Sequence, residues 1–386
     1  MTPARPAALA QRLLPAIVYI VLALLLAWFA GGQILFGRID AALAIPWLMP
    51  GALWLVWRPR DEGRAVRLAI AGAALFGLLA VQGLLHLWLG GSLGAVQLGL
   101  TLAAAVLACG LAALVMRRTR GWLRWLAMFA TVLFWFAAGQ ILIGTAYGAF
   151  HKQPAPRLAV LSGLPLRWGG DDLAAMLAAG PQDAPALTEL GRRFDVRLID
   201  SLMQVEDDEP LLVAHPRALA PAELVRLDAL TTRARNIVIL ADALSSWEPP
   251  FPTGDPRNPP VTSLLTPLLD HWGVTLAAPD RGVSGWDGDV DVFIDPGARK
   301  LRLHSAGRFT RLPAGCASYG DRRVARCAVG EATVWLIGDA DLLHESLWQA
   351  PIPAAPWLRR SDNLAWLSDV LTPTGQPLLD PIWIRP

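Results

Sequence analysis

Long apolar segments fill the first 150 residues, whereas the rest of the chain alternates short apolar runs with polar stretches. A transmembrane helix needs about 20 predominantly apolar residues. The candidate segments lie near residues 13–36, 41–57, 65–89, 93–116 and 122–150. This pattern predicts a membrane domain over residues 1–152 and a second, extramembrane domain over residues 153–386.

Segment 41–57 is the shortest of the five and contains two prolines, so four spans and five spans both fit the apolar pattern. Positively charged residues collect in cytoplasmic loops, and this bias discriminates between the two counts. Three arginine clusters flank the segments, at Arg5 and Arg12, at Arg58, Arg60, Arg64 and Arg67, and at Arg117, Arg118, Arg120 and Arg124. Five spans place all three clusters in the cytoplasm and the second domain in the periplasm. Four spans, with segment 41–57 re-entrant, strand at least one cluster on the opposite side.

The second domain contains a strand–helix–strand pattern. Leu211–Ala214 is fully apolar, Pro221 suits the first turn of a helix whose leucines recur at helical spacing, and Asn236–Leu240 is apolar again. Such a unit has parallel strands, which need helices on both faces of the sheet. We therefore predict an α/β fold with a doubly wound, mostly parallel sheet of the flavodoxin-like kind. A further helix is predicted over residues 261–272, where Gly273 follows as a helix end.

Composition agrees with a membrane protein and argues against a nucleic-acid-binding protein. Hydrophobic residues make up 54% of the chain and the net charge is only +2. The arginines flank apolar segments instead of forming a basic groove. The expected partner from composition is therefore the lipid bilayer.

A ten-residue sequence occurs twice in the membrane domain. WFAGGQILFG at Trp28–Gly37 returns as WFAAGQILIG at Trp135–Gly144, with two differences. Gln33 and Gln140 are polar groups within apolar segments. We interpret them as interhelical hydrogen-bonding groups beside glycines that allow close packing; the alternative is a polar path or lipid site lined by both copies.

Two of the three cysteines bracket a polar turn in the second domain. A hairpin would bring Cys316 and Cys327 opposite one another, and an oxidising compartment would favour a disulfide. Two unlinked thiols are the alternative. Neither cysteine fits a zinc-binding pattern.

Polar residues follow the predicted strands at the edge where ligands bind in open parallel sheets. Ser162, His215, Asp242, Asp339 and Asp341 are the predicted ligand or partner site, and the first four are weak catalytic candidates. Ser162 lies in LSGLP, which is not a nucleophile elbow, so a catalytic triad is disfavoured. Asp339 and Asp341 with His344 and Glu345 can also be interpreted as metal ligands, although such residues commonly cap the next helix. No metal or cofactor is predicted, because no Walker or dinucleotide-binding glycine pattern is present.

The strand–helix–strand unit carries a family resemblance. LLVAHPRALAPAELVRLDAL with NIVILADAL, then GDPRNPPVTSLLTPLLDHWGV and VWLIGDADLL, resemble the extracytoplasmic domain of GldG-like auxiliary proteins of ABC transport systems, over roughly Arg157 to Leu371. The resemblance implies a class I glutamine amidotransferase-like fold in the periplasm and association with ABC permease and ATPase subunits. Ala220 departs from the family's usual capping Ser, and the multi-span region departs from its simpler anchoring. The amidotransferase nucleophile is a Cys, and none lies near His215 or Asp242, so glutaminase activity is disfavoured.

The expected function is that of a non-enzymatic inner-membrane protein. Its periplasmic α/β domain would bind a ligand or act as a scaffold, as an accessory component of an ABC-type transport system. The alternative is a membrane-anchored hydrolase or transferase that acts at Ser162, His215, Asp242 and Asp339.

Overall fold

The computed structural model describes residues 6–59, 62–148, 155–168, 182–207, 209–249, 251–255, 257–279, 288–294, 299–372 and 377–385. The chain divides into two compact units. The first comprises Met1–Gly148, Ile352–Leu358 and Pro377–Pro386, and the second comprises Ala149–Pro351 and Arg359–Gln376. The sequence-based division assigned all of residues 153–386 to the second domain. The structure differs, because two late segments fold with the first unit.

The first unit is helical and carries four candidate membrane-spanning helices. Its helices are α1 Pro6–Leu25, extended by a π-helical turn Leu26–Ala30; α2 Gln33–Phe36; α3, a 3₁₀ segment Ala41–Trp47 followed by an α-helix Leu48–Trp57; α4 Arg64–Leu85, extended by a π-helical turn His86–Gly90; α5 Ala95–Arg118; and α6 Trp122–Tyr147. Four of them, α1, α4, α5 and α6, have the length and apolar composition needed to cross a membrane. The chain is therefore a membrane protein of mixed α/β structure.

Helix α3, the uncertain segment of the sequence, runs alongside α6, packed closely against it near the start of α3 and separated from it by a groove near the end. At its start, the Ala41 N–H donates to His86 Nε2 at 3.1 Å, and the Trp135 indole N–H donates to the Ile45 carbonyl at 2.8 Å. At its end, Trp57 lines one groove with Trp122 at the beginning of α6. Standard rises of about 2.0 Å per 3₁₀ residue and 1.5 Å per α residue make α3 about 29 Å long, close to the ~30 Å hydrocarbon thickness.

The two copies of the repeated sequence have different structures. In the first copy the chain breaks at Gly32, whose φ of 74° is left-handed, and the Gln33 side chain donates to the Asp40 carbonyl at 2.5 Å. The second copy is a continuous part of α6. There, a Cβ on Gly139 would lie 2.8 Å from the Pro46 Cα, so this glycine lets α6 and α3 approach closely. The close helix packing expected at the glycines is therefore found at Gly139, whereas Gly32 forms a turn. Gln140, half-buried on α6, stays a predicted polar group within the bundle.

A buried ion pair closes one end of the bundle. The Arg38 guanidinium donates to Asp40 Oδ2 at 2.9 Å, and both side chains are fully buried. The Tyr147 hydroxyl donates to the same carboxylate oxygen, and Arg38 lies over the rings of Tyr147 and Trp383, 5.0 and 5.6 Å from their centroids. A buried charge needs such partners, since desolvation otherwise costs several kcal/mol. The sequence analysis did not identify this network.

The C-terminal segment is hydrogen-bonded to this same end. The Ile39 N–H donates to the Ile382 carbonyl at 2.9 Å, and the Ile384 N–H donates to the Gly37 carbonyl at 2.8 Å, which forms a short antiparallel bridge. The Leu379 N–H donates to the Ala146 carbonyl at 2.9 Å. We call this the tail end of the bundle, because residues 33–40, 86–94, 146–147 and 377–385 meet there.

The second unit is built on a seven-stranded sheet with the order β11-β12-β13-β6-β5-β1-β4. Strands β13, β6, β5, β1 and β4 are parallel, and β11 and β12 are antiparallel additions at one edge. The strands are β1 Arg157–Ser162, β2 Arg167–Trp168, β3 Gln182–Asp183, β4 Asp195–Ile199, β5 Leu211–Ala214, β6 Asn236–Leu240, β7 Thr275–Ala277, β8 Asp289–Ile294, β9 Arg299–His304, β10 Arg308–Arg311, β11 Ala317–Tyr319, β12 Val324–Val329 and β13 Ala332–Ile337. The prediction of a mostly parallel sheet is confirmed.

Helices cover both faces of this sheet, because successive strand residues point to opposite sides. The helices are α7 Pro185–Gly191, α8 Pro221–Leu230, α9 Thr266–His271, α10 Glu345–Trp348 and α11 Asn363–Leu371. Leu212 and Val238 pack with α7 and α11 in one core, whereas Leu211 and Ile237 pack with α8 and α9 in the other. Both cores are closed to water, and the central strands are apolar where they are buried on both faces, at Leu211–Ala214 of β5 and at residues 237–240 of β6.

The predicted helix over residues 261–272 is wrong in its first half. Only Thr266–His271 is helical. The Ser245 N–H donates to the Val261 carbonyl at 3.0 Å, and the Ser263 N–H donates to the Asp242 carbonyl at 2.6 Å. These bonds hold the segment before α9 against the loop that follows β6, so tertiary contacts override the local apolar pattern.

The Arg38–Asp40 pair generates a stability prediction. We expect Asp40→Ala to destabilise the first unit by about 3–5 kcal/mol, because it leaves the Arg38 charge buried without its carboxylate. Asp40→Asn keeps an acceptor and should have a smaller effect. Thermal unfolding of the purified full-length protein can be followed by a thiol-reactive fluorophore at Cys109, the one cysteine outside the disulfide. Asp200→Ala, at an exposed position, is the control; an Asp40→Ala protein that unfolds at the control's temperature would contradict the prediction.

Candidate functional site at the strand ends

The topology brings four sequence-predicted residues to neighbouring strand ends. Asp339 follows β13, Asp242 follows β6, His215 follows β5 and Ser162 ends β1, in the spatial order of the sheet. The order of strands reverses between β5 and β1, which is where ligands bind in open α/β sheets. Here the backbone itself fills that position, since a Cβ on Gly163 would lie 2.4 Å from the His215 carbonyl oxygen.

Three carboxylates form a buried cluster beside this position. Asp242, Asp339 and Asp341 each place a carboxylate oxygen within 4.8 Å of the others. Their side chains are 0 to 4% exposed. Asp242, Asp339 and Asp341 were all predicted to belong to the strand-end site, and Asp242 lies beside the other two because β6 and β13 are adjacent.

Each carboxylate accepts hydrogen bonds from backbone N–H groups of the surrounding loops. Asp242 accepts from Leu244 at 2.9 Å and from Ala340 at 3.2 Å. Asp339 accepts from Asp341 at 2.7 Å and from His304 at 2.8 Å, and both oxygens of Asp341 lie within 3.2 Å of the Ser246 N–H. The cluster therefore ties the loops after β6, β9 and β13 together.

Burial raises the pKa of all three carboxyl groups. Desolvation, followed by the neighbouring Asp341 charge, raises the pKa of Asp242 to about 7. Desolvation and the charges of Asp242 and Asp341 raise the pKa of Asp339 well above its ordinary value. Desolvation also raises the pKa of Asp341, against the hydrogen bonds from Ser246. Chemically, such a cluster retains protons near neutral pH or offers oxygen ligands to a hard cation.

His215 and Ser162 do not form a catalytic triad with Asp242 among the described residues. His215 Nε2 bonds the Pro260 carbonyl at 2.7 Å, while its buried Nδ1 has no hydrogen-bond partner in the described part of the chain. Desolvation lowers the pKa of His215, so the ring is neutral. The Ser162 hydroxyl accepts from the Leu164 N–H at 3.0 Å, within its own turn. A triad needs a hydrogen bond between the serine and the histidine, but Ser162 and His215 are each hydrogen-bonded to a backbone group instead.

The other metal candidates take structural positions. His344 Nδ1 bonds the Ser346 hydroxyl at 2.8 Å and accepts from the Ser346 N–H, as an N-cap of α10. Glu345 lies in the first turn of that helix, where its charge suits the helix dipole. Of the four residues considered as metal ligands, only Asp339 and Asp341 come together.

The proline-rich loop 247–260 borders the strand ends. The Trp247 indole N–H donates to the Ala340 carbonyl at 3.3 Å at one end of the loop, and Pro260 accepts from His215 at the other. A cavity of about 160 Å³ lies next to the cluster, lined by Ala243, Ser263 and Thr266 among others. This volume suits water or a small ion more than an organic substrate.

The two described cysteines of this unit are joined. Cys316 and Cys327 form a disulfide between β11 and β12, with an S–S distance of 2.02 Å. The register pairs Ala317 with Arg326, which sets the cysteines opposite one another.

Sequence analysis missed the residues that carry most of the buried polar structure in the first unit. His86 is fully buried and bonds both Ala41 and Leu93. Arg38 lies outside the three arginine clusters on which the count of spans was based. An arginine and an aspartate two residues apart, between two apolar segments, were the available signal.

Comparison with known proteins does not assign the chain to a family. No protein-family model matches the chain, and no curated protein matches it. Among solved structures, the exo-beta-1,4-mannosidase Op5Man5 from Opitutaceae bacterium strain TAV5 is similar with a TM-score of 0.31 and 13% identity, over 64% of this chain and 40% of that chain. A beta-galactosidase from Rahnella sp. R3 is similar with a TM-score of 0.30 and 12% identity, over 63% of this chain and 35% of that one. This chain therefore spans well under half of either enzyme, and at these scores neither likeness defines an activity.

The carboxylate cluster generates a pH prediction. A carboxyl group whose pKa is higher in the folded state stabilises the fold fully below its unfolded pKa of about 3.9, and this contribution is lost as pH rises through the folded value, about 7 for Asp242. Hydrogen exchange of the β6 and β13 peptides, corrected for intrinsic rates, should therefore show less protection at pH 8 than at pH 5.5.

Asp341→Asn removes one negative charge and keeps an acceptor for Ser246. We expect this variant to be better protected than wild type at pH 8 and similar at pH 5.5. Equal protection of the two proteins at pH 8 would show that the carboxylates do not repel one another. Asp200→Asn, at an exposed position, is the matched control.

Proposed function

We propose that the protein is a non-enzymatic inner-membrane protein that holds an α/β scaffold or binding domain in the periplasm, as an accessory component of an ABC-type transport system. The observation that carries the location is the arrangement of the first unit. The observation that favours a scaffold is that the strand-end side chains are hydrogen-bonded to the protein's own backbone.

The two ends of the helical bundle differ in charge. Arg58 ends α3, Arg64 starts α4, Arg117 and Arg118 end α5, and Arg124 lies in the first turn of α6. Because α3 runs antiparallel to α6, all of them belong to the end opposite the tail end. We call it the arginine-rich end. Cytoplasmic loops carry an excess of arginine, which supports a cytoplasmic location for this end.

This arrangement supports five crossings, four by the long apolar helices and one by α3. Helix α6 finishes at the tail end, where Tyr147 meets Asp40, and the chain enters the second unit from there. With one crossing each by α1, α3, α4, α5 and α6, and the arginine-rich end in the cytoplasm, the second unit would lie on the non-cytoplasmic side. The Cys316–Cys327 disulfide supports the same location, because disulfides persist in oxidising compartments.

The strand-end side chains support a scaffold more than an enzyme. Asp242, Asp339 and Asp341 bind loop backbone, and Ser162 binds its own turn. A hydrolase or transferase needs a nucleophile and a base within hydrogen-bond reach, and Ser162 and His215 have other partners. Association with ABC permease and ATPase subunits rests on the GldG-like resemblance of Arg157 to Leu371.

A reporter fusion tests the location. Alkaline phosphatase, which needs disulfides to be active, should be active in a bacterial host when fused after Gly148 and inactive when fused after Gly121. The opposite pattern would exclude the periplasmic location. A cytoplasmic fluorescent reporter at the same two positions provides the reciprocal control.

Affinity purification tests the partner. The full-length protein, solubilised from its native membrane after crosslinking, should retain the permease and ATPase of one ABC system. A matched preparation of the first unit alone is unsuitable, because residues 377–385 fold with it. The control is therefore an unrelated multi-span protein with the same tag, and equal recovery of ABC subunits by both would contradict the partnership.

A further inference from the structure

A lateral groove of about 950 Å³ opens between α3 and α6 at the arginine-rich end. Pro50, Leu53, Trp54 and Trp57 line it from α3. The α6 side is lined by Trp122, Trp125, Met128, Phe129 and Val132, together with Gly121 and Arg124. Apart from Gly121 and Arg124, the lining is entirely apolar or aromatic.

The groove exists because the two helices pack closely at one end only. At Gly139 the backbone of α6 lies directly against Pro46, and Trp47 packs edge-on against Phe136 with ring centroids 5.0 Å apart. Towards the start of α6, this face of the helix carries the bulky Trp125 and Phe129 where Gly139 lies further along. Both side chains are about two-thirds exposed. The helices therefore separate where these rings lie.

The dimensions of the groove match one leaflet of a bilayer. Trp122 to Val132 extends about 15 Å along α6 at ~1.5 Å per residue, half of the ~30 Å hydrocarbon thickness. Tryptophan is enriched at the membrane–water interface, and two tryptophans of each helix line this groove. An acyl chain of the adjacent leaflet is long and apolar, so it fits a groove with this apolar lining.

Positive charge marks the outer end of the groove. The Arg124 guanidinium is held there by bonds from Nε and Nη2 to the Thr119 carbonyl, at 3.2 and 3.1 Å. Neither bond is to an acid. Arg58, Arg117, Arg118 and Arg120 lie in the same connecting regions of the sequence, against only Asp61 and Glu62.

We propose that this groove binds an anionic phospholipid, with its acyl chains between α3 and α6 and its phosphate at Arg124. Basic pockets between transmembrane helices are suited to anionic headgroups, because a guanidinium donates charge-assisted hydrogen bonds to phosphate. The inference needs the first unit to lie in a bilayer, but it is independent of the partners proposed above.

Native mass spectrometry of the full-length protein, titrated with dioleoylphosphatidylglycerol or dioleoylphosphatidylcholine, tests the proposal. The two probes have the same chains and differ in net charge. The wild-type protein should bind the first phosphatidylglycerol about fivefold more tightly than phosphatidylcholine, because the choline cation offsets the phosphate charge that Arg124 would attract, and one arginine beside anionic lipid contributes about 1 kcal/mol. Equal affinities for the two lipids would overturn the proposal.

Matched variants separate a site from general attraction to a basic surface. Arg124→Gln should abolish the preference for phosphatidylglycerol, and Arg124→Lys should keep part of it. Arg64→Gln, which removes an exposed arginine on α4 outside the groove, should bind like wild type. Equal losses in Arg124→Gln and Arg64→Gln would show surface attraction only and refute the site.

Met128→Trp tests the apolar part, because a larger side chain fills the groove. It should weaken binding of both lipids, whereas unchanged binding would overturn the placement of the acyl chains. Thermal unfolding followed at Cys109 identifies variants that fail to fold; a destabilised Met128→Trp protein is replaced by Val132→Phe, for which the same two outcomes apply.

Discussion

The packing of α3 through the helical bundle is the constraint on which the arrangement of the first unit depends. Its 17 residues extend about 29 Å because the first seven form a 3₁₀ helix, which rises further per residue than an α-helix. Gly139 lets α6 lie against Pro46, and Asp40 accepts from the Ala42 N–H at the start of α3 and pairs with Arg38. Together these contacts set α1 and α6 to finish at the same end, where the C-terminal segment is also bound.

The same physical rule governs the buried polar groups of both units. A charge or polar group away from water is tolerated when hydrogen bonds satisfy it. In the first unit Asp40 accepts hydrogen bonds from Arg38, Tyr147 and a backbone N–H. In the second unit the three aspartates accept hydrogen bonds from backbone N–H groups at the ends of β6, β9 and β13. In the second cluster, burial raises the pKa of all three carboxyl groups, and the charges of neighbouring aspartates raise those of Asp242 and Asp339 further.

The pattern of apolar residues and prolines predicted those strands and helices whose positions depend on residues near in sequence. Strands β1, β5, β6 and β13 are apolar runs buried on both faces, and α8 begins at a proline that suits a first helical turn, so their positions could be predicted from the sequence. The return of residues 352–358 and 377–385 to the first unit could not, because it depends on contacts over more than 300 residues, such as Arg38 with Trp357. All three aspartates of the cluster were predicted at strand ends. Asp339 and Asp341 are near in sequence, whereas the contact of Asp242 with them depends on the order of the strands, which the local pattern does not determine.

Single-cysteine labelling tests directly whether α3 crosses the membrane. In a Cys109→Ser protein, Gln11→Cys lies near the start of α1 and Gly63→Cys follows α3, so both lie on one side if α1 and α3 each cross once. A membrane-impermeant maleimide applied to intact cells should label neither, and should label both after the inner membrane is opened; Ser92→Cys, in the loop after α4, should be labelled in intact cells. Labelling of Gly63→Cys but not Gln11→Cys in intact cells would show that α3 turns back, and the account of the bundle would be wrong.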